Sequence, residues 1–182
     1  MYKKIVVPLD GSKLAECVLP HLEQIAKGCG AEYVVLVSVT ELVKGSMSAE
    51  TEYKAMSVQP ASPTPYIASI SRGDVIRPPA TVSVKTGKMW RQAWRYLERI
   101  ARRLDKKGIQ VRLSVRLGDP AEQVTSLADE ENADLILMAS HGRSGISRWT
   151  HGSVAERVFR AAGIPVLMIK VPVGTPDKLG RR

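Results

Sequence analysis

"IQVRLSVRLGDPAEQVTSLADEENADLILMAS", residues 109–140, decides the fold. Its first ten residues alternate apolar and polar, as a strand with one less buried face, or an edge strand, does. Asp119 then stands as an N-cap, with Pro120 at the first helical position, where a missing N–H is no loss. Residues 134–140, "DLILMAS", return to an unbroken apolar run, the pattern of a strand covered on both faces. Strand, helix and strand in about thirty residues make a βαβ unit, whose crossover is right-handed.

The same alternation continues outward. Residues 4–8, "KIVVP", read as a buried strand ended by "LDGS". Ser12 is placed to cap a helix whose apolar stripe is Leu14, Val18, Leu22 and Ile25 with Ala26, and Gly28 and Gly30 are expected to stop it. Residues 32–39, "EYVVLVSV", form a second strand. Beyond the opening stretch, "SVAERVFRAAG" reads as a helix from Ser153, and residues 165–171, "PVLMIKV", as a fifth strand. The expected fold is therefore α/β: a five-stranded parallel doubly wound sheet of flavodoxin size, with helices on both faces. One domain spans residues 1–172, with a long insertion at 43–87 and a patternless, mobile tail at 173–182. The insertion carries five prolines (Pro60, Pro63, Pro65, Pro78, Pro79). Within it, "TVSVK" at 81–85 is the segment expected to add a short edge strand.

Composition excludes several classes. The chain has 182 residues, 44% hydrophobic and 25% charged, an ordinary balance for a globular domain. No run approaches the roughly 18–20 apolar residues of a membrane span, and "MYKKIVVPLDGS" does not read as a signal peptide. Cys17 and Cys29 lie on one expected helix, too far apart along it to bridge, and form no metal-ligand pattern; a reducing cytoplasm fits.

The net charge of +9 is concentrated. Residues 88–107 hold eight Lys/Arg (Lys88, Arg91, Arg95, Arg99, Arg102, Arg103, Lys106, Lys107) against Glu98 and Asp105. Trp90, Trp94, Leu97, Ile100 with Ala101, and Leu104 recur at helical spacing and form the buried face, leaving the arginines outside. A solvated face is the simpler use of these charges, so nucleic acid is not the expected partner. Binding of that kind through this helix predicts steep salt dependence.

In open parallel sheets, ligands bind at the carboxyl ends of strands where strand order reverses. The loops expected there are "PLDGS" and "SHGRSGISRWTHGS". Gly142 and Gly145 permit positive φ and close approach to the backbone. Gly152 and Ser153 open a helix whose unpaired N–H groups suit a phosphate, with Arg143, Arg148 and His151 nearby in sequence. Asp10, acceptor-only when ionised, suits ribose hydroxyls or an amino group instead. A P-loop motif and a GxGxxG after the first strand are both absent.

These residues resemble the universal stress proteins. "KKIVVPLDGSKLAE" is similar to that family's opening strand and turn, and "GDPAEQVTSLADEENADLILMASHGRSG" with "GSVAERV" and "IPVLMIK" to its closing half. The resemblance covers about residues 1–42 and 88–172. It implies an adenine-nucleotide alpha-hydrolase-like fold and the nucleotide-binding pattern G-x2-G-x9-G-[ST]. Gly142, Gly152 and Ser153 match that pattern, while Ala139 replaces its first glycine. By the resemblance, Asp10 and Val39 face the adenosine, and Pro8, Leu9, Met138 and Val154 line the pocket. Gly142, Gly152 and Ser153 hold the phosphates of ATP, ADP or AMP, with Mg2+ or Mn2+ on the phosphates, and Ala139, whose methyl group is placed to crowd the ligand, Arg143 and Gly145 are the further expected cofactor-binding residues. It also implies a homodimer through residues 165–171 and a cytoplasmic stress-response sensor or regulatory module. The alternatives are a nucleotide-free homodimer acting through protein contacts, and a weak ATPase. His21, His141 and His151 lack sequence partners, so no catalytic set is assigned.

Overall fold

In this computed structural model, residues 2–40, 67–69, 84–140 and 153–170 are described. In chain order the elements are β1 (Lys4–Pro8), a 3-10 turn (Ala15–Val18), α1 (Leu19–Cys29), β2 (Tyr33–Thr40), β3 (Ile67–Ser69), α2 (Val84–Asp105), β4 (Val111–Leu117), α3 (Pro120–Glu130), β5 (Leu135–Ala139), α4 (Ser153–Ala161) and β6 (Val166–Ile169). The sheet runs β3-β4-β2-β1-β5-β6. Its five longer strands are mutually parallel, and β3 lies antiparallel on β4.

Period-two burial explains why helices lie on both faces. Ile5 and Val7 of β1 join Leu36, Leu113 and Leu137 in a core with Leu22 of α1 and Leu97 and Leu104 of α2. Val6, between them in sequence, joins Val35 and Ile136 in a second core with Val124 and Leu127 of α3 and Val158 of α4. Successive side chains on a strand point to opposite faces, so an unbroken apolar run needs a cover on each side. Each fully buried aliphatic side chain contributes about 1.5–3 kcal/mol relative to exposure.

The starts and stops follow local chemistry. Ser12 Oγ accepts the Ala15 N–H at 3.1 Å, capping the 3-10 turn that leads into α1. Gly30, at φ 59°, ends α1, and its N–H bonds back to carbonyls of the last turn; Gly28, also expected to stop the helix, lies inside it. Asp119 caps α3 through Oδ1, which accepts the N–H groups of Ala121 at 3.0 Å and Glu122 at 3.1 Å.

Two expectations about the insertion are corrected. Val84 and Lys85 do not end an edge strand: they are the first residues of α2, which begins before Lys88. Helical amphipathicity sustained over 22 residues outweighs the few tenths of a kcal/mol by which Val and Thr disfavour a helix. The insertion does supply an edge strand, but at Ile67–Ser69, with Ile67 opposite Ser114 and Ser69 opposite Arg112. β4 is the outermost parallel strand but not the edge its alternating pattern suggested, since β3 pairs with its Arg112–Ser114 stretch.

Candidate functional site

β1 is the strand at which the sheet reverses direction. From β1 the chain proceeds through β2 towards β4 on one side, and later returns through β5 to β6 on the other. Connections that leave neighbouring strands in opposite directions open a crevice at the carboxyl ends. Here that crevice lies between β1 and β5.

On the β1 side, Pro8 pairs with Val37, and the Leu9 N–H continues the ladder to the Val37 carbonyl at 2.8 Å. Asp10 comes next, and its Oδ1 accepts the Ser12 N–H at 2.9 Å. Gly11 between them has φ 87°, in the left-handed region where a Cβ is strained although the space beside it is open. The tight turn therefore holds the Asp10 carboxylate at the mouth of the crevice by a backbone bond.

The side chains at the strand tips divide between the two faces. Val39 of β2, Met138 of β5 and Val154 of α4 belong to the core on the α3 and α4 side. Three expected lining residues from three elements thus share one apolar wall. Ala139 points the other way. Only 8% exposed, it joins Leu9, Ala15 and Val18 in the core on the α1 side. Ser153 is the exposed first residue of α4, which runs antiparallel to β5 and β6 and so starts at the carboxyl end of the sheet. Gly142, Arg143, Gly145 and Gly152, together with His141, Arg148 and His151, lie outside the described residues.

Charges fasten the rim. Arg157 of α4 bonds Asp119 Oδ2 at 2.7 Å, tying α4 to the start of α3. That bond, followed by the backbone N–H of Glu122, holds the Asp119 carboxyl below its usual range. On α2, burial and then the fields of Glu16 and Asp10 push the Tyr96 phenol up. Its Oη is buried and makes no hydrogen bond of normal geometry among the described residues, although Glu16 lies close enough to act on it.

Sequence reasoning missed Arg116. It is the register partner of Val39 and is only 5% exposed. Its guanidinium donates to both carboxylate oxygens of Glu130, at 2.9 Å to Oε1, and Nε donates to Ser114 Oγ at 3.4 Å. Arg116 is the leading cause holding the Glu130 carboxyl below its usual range. The pattern "VRLSVRL" assigns Arg112, Ser114 and Arg116 to a less buried face, yet Ser114 is fully buried there. The signal that would have found this is Glu130 and Glu131 at the end of the next helix. Glu131 takes Arg112 at 3.1 Å, over the Tyr33 ring.

His21 is exposed on α1. Among the described residues, no three His, Cys, Asp or Glu side chains cluster to hold a metal, and no helix is long and apolar enough to cross a membrane.

The universal stress protein family model matches residues 1–170. The chain belongs to the universal stress protein family. Universal stress protein MJ0577 of Methanocaldococcus jannaschii is 29% identical over 170 residues, covering 93% of this chain and 96% of the relative. The solved structure of MJ0577 superposes with a TM-score of 0.69 at 26% identity, covering 95% of this chain and 99% of that one. Two more distant family structures carry ligands. One is a universal stress protein in complex with cAMP, with TM-score 0.53, 19% identity and coverage of 94% of this chain and 98% of that one. The other is a family protein from Arabidopsis thaliana with AMP bound, with TM-score 0.56, 16% identity and 97% of each chain covered. At those identities the likeness shows the fold that the universal stress proteins share.

Proposed function

We propose that the crevice between β1 and β5 binds an adenine nucleotide (ATP, ADP or AMP), and that the chain is a cytoplasmic stress-response sensor or regulatory module rather than a dedicated enzyme. The observation that carries this reading is the convergence of Val39, Met138 and Val154 on one wall beside Asp10. An apolar wall with a fixed acceptor at its mouth suits a base and its ribose, whose hydroxyls and amino group are donors. The start of α4 at Ser153 supports a phosphate end, because helix N-termini offer unpaired N–H groups and partial positive charge. Gly142, Arg143, Gly145 and Gly152 complete the phosphate cradle in this reading, with Pro8 and Leu9 lining the β1 side. The cAMP and AMP held by the two distant relatives support the same ligand class.

Ala139 fits the ligand despite replacing the pattern's glycine, because its methyl group belongs to the core on the α1 side. Mg2+ or Mn2+ would ride on the phosphate oxygens and water, as Mg2+ bound with nucleotides commonly does. We assign no catalytic residue, and hydrolysis is at most slow.

The dimer reading rests on β6. This strand ends the sheet, with Val166, Met168 and Ile169 partly exposed and Leu167 39% exposed. An apolar open edge is a ready template for pairing with a second copy through residues 165–171.

The test is to purify the protein natively, denature it, identify any released nucleotide by chromatography, and titrate the stripped protein with ATP–Mg2+ in a calorimeter. Saturable binding is expected, abolished by Gly152→Val and weakened alike for ATP, ADP and AMP by Asp10→Ala. A folded protein that carries no nucleotide and gives no heat of binding overturns the reading, and the nucleotide-free dimer takes its place.

A further inference from the structure

α2 presents a basic face that the crevice does not use. Lys88, Arg91, Arg95, Arg99, Arg102, Arg103, Lys106 and Lys107 are all exposed, while Trp90, Leu97, Ile100, Ala101 and Leu104 are buried against the sheet. The charges are therefore displayed on a helix that cannot roll. Along the face, Arg95, Arg99, Arg102, Arg103 and Lys106, with Glu98, line an open groove.

Ion pairs engage half of these cations and leave the other half available. Arg99 and Arg103 reach Glu16 at 3.3 and 3.8 Å, Lys107 reaches Glu23, and Arg102 reaches Glu98 at 2.6 Å. These are exposed pairs of the kind that contributes little and exchanges readily for another anion. Among the described residues, Lys88, Arg91, Arg95 and Lys106 have no carboxylate partner at all.

We infer that this face docks the phosphate backbone of double-stranded nucleic acid, without reading its sequence. The density of exposed cations on one fixed face favours that occupant. Six of the eight cations lie on α2 and two in the turn that follows it, and at a rise of about 1.5 Å per residue they average about 4 Å apart along the axis. One strand of a B-form duplex carries a phosphate about every 3.4 Å. Five of the eight cations are arginines, whose planar fork takes two phosphate oxygens at once. A bilayer is a poorer match, because the exposed large apolar side chains among the described residues, Phe159 and Leu167, lie on α4 and β6 and not beside this face. Single strands are also a poorer match, since the aromatics of this helix are taken up within the fold, Trp94 stacked on buried Trp90 and the Tyr96 ring under Arg99, and offer no row of open stacking faces. The solvated face expected from sequence pattern alone becomes, on this density of charge, a binding face.

The experiment is fluorescence anisotropy of a labelled random-sequence duplex of about 20 base pairs, titrated with the full chain at low and moderate salt. Four phosphate contacts predict a log–log salt slope of about −3.6, or roughly 100-fold weaker binding at 200 mM than at 50 mM salt. Arg91→Ala with Arg95→Ala should reduce that slope by about 1.8. Arg160→Ala, on α4 on the opposite face of the sheet, should leave it unchanged, with circular dichroism confirming that each variant is folded. No binding at 50 mM salt, a double variant that binds like the parent, or tighter binding to single strands or anionic phosphatidylserine vesicles than to the duplex would each overturn the inference. The result is independent of whether the crevice holds a nucleotide.

Discussion

Ala139 and Arg116 show how one residue's direction settles what its identity leaves open. In the nucleotide-binding pattern, an alanine in place of glycine reads as a methyl group crowding phosphate. The pleat turns that methyl into the core with Leu9 and Val18. Ala139→Gly should therefore leave ATP affinity essentially unchanged while lowering stability by about 1 kcal/mol, from added chain entropy and lost burial. Urea unfolding and calorimetry on the same variant separate the two effects, and a gain in affinity would show that the methyl does meet the ligand. Arg116 is the opposite case, since a polar residue on an alternating strand looks solvated. The fold brings Glu130 beneath it, so its burial was not legible in its own position, and the cue lay in the acidic pair that ends the next helix.

At the scale of elements, β6 makes the most exposed commitment. Leu167→Glu places a charge on the edge proposed for pairing, and should shift the protein from dimer to monomer in sedimentation velocity without changing its circular dichroism. Equal sedimentation of variant and parent would remove the edge from consideration. Four of the parallel strands were legible because burial on both faces requires apolar runs, β4 because its residues alternate, and α3 because Asp119 and Pro120 announce it. β3 was not, since three residues are too few to show a period. The start of α2 was misread because "TVSVK" alternates over a stretch too short to distinguish strand from helix. The site was legible in halves. The switch point between β1 and β5 follows from strand order, and Val39, Met138 and Val154 lie in one core cluster. The Arg116–Glu130 pair joins β4 to the helix that directly follows it, a contact that alternation along one strand does not show, and the glycine-rich stretch lies outside the described residues.

For the molecule as a whole, acid is the condition to which the ion pairs answer. Asp119, held by Arg157, Glu130, held by Arg116, and Asp134, held by the Lys4 and Lys3 N–H groups, all have carboxyl pKa values below the usual range. Such groups bind protons more weakly folded than unfolded. The stability they contribute is complete above the ordinary carboxylate range, about pH 4–4.5, and is lost as pH falls through the depressed folded values. The urea midpoint should be flat from neutral pH to about 5 and then fall, and Glu130→Gln should start lower and fall less steeply. An unchanged slope in that variant would mean the Arg116 pair takes no part.

The three-residue strand at Ile67–Ser69 has a consequence for growth. Sheets with two bare margins can add copies at both and extend into fibres. Here, among the described residues, one margin is a three-residue antiparallel strand that offers a partner few backbone bonds, and the other is β6. Pairing at β6 about a two-fold axis, as proposed, would consume that edge on both partners and leave, among the described residues, only the short β3 margin for a further copy.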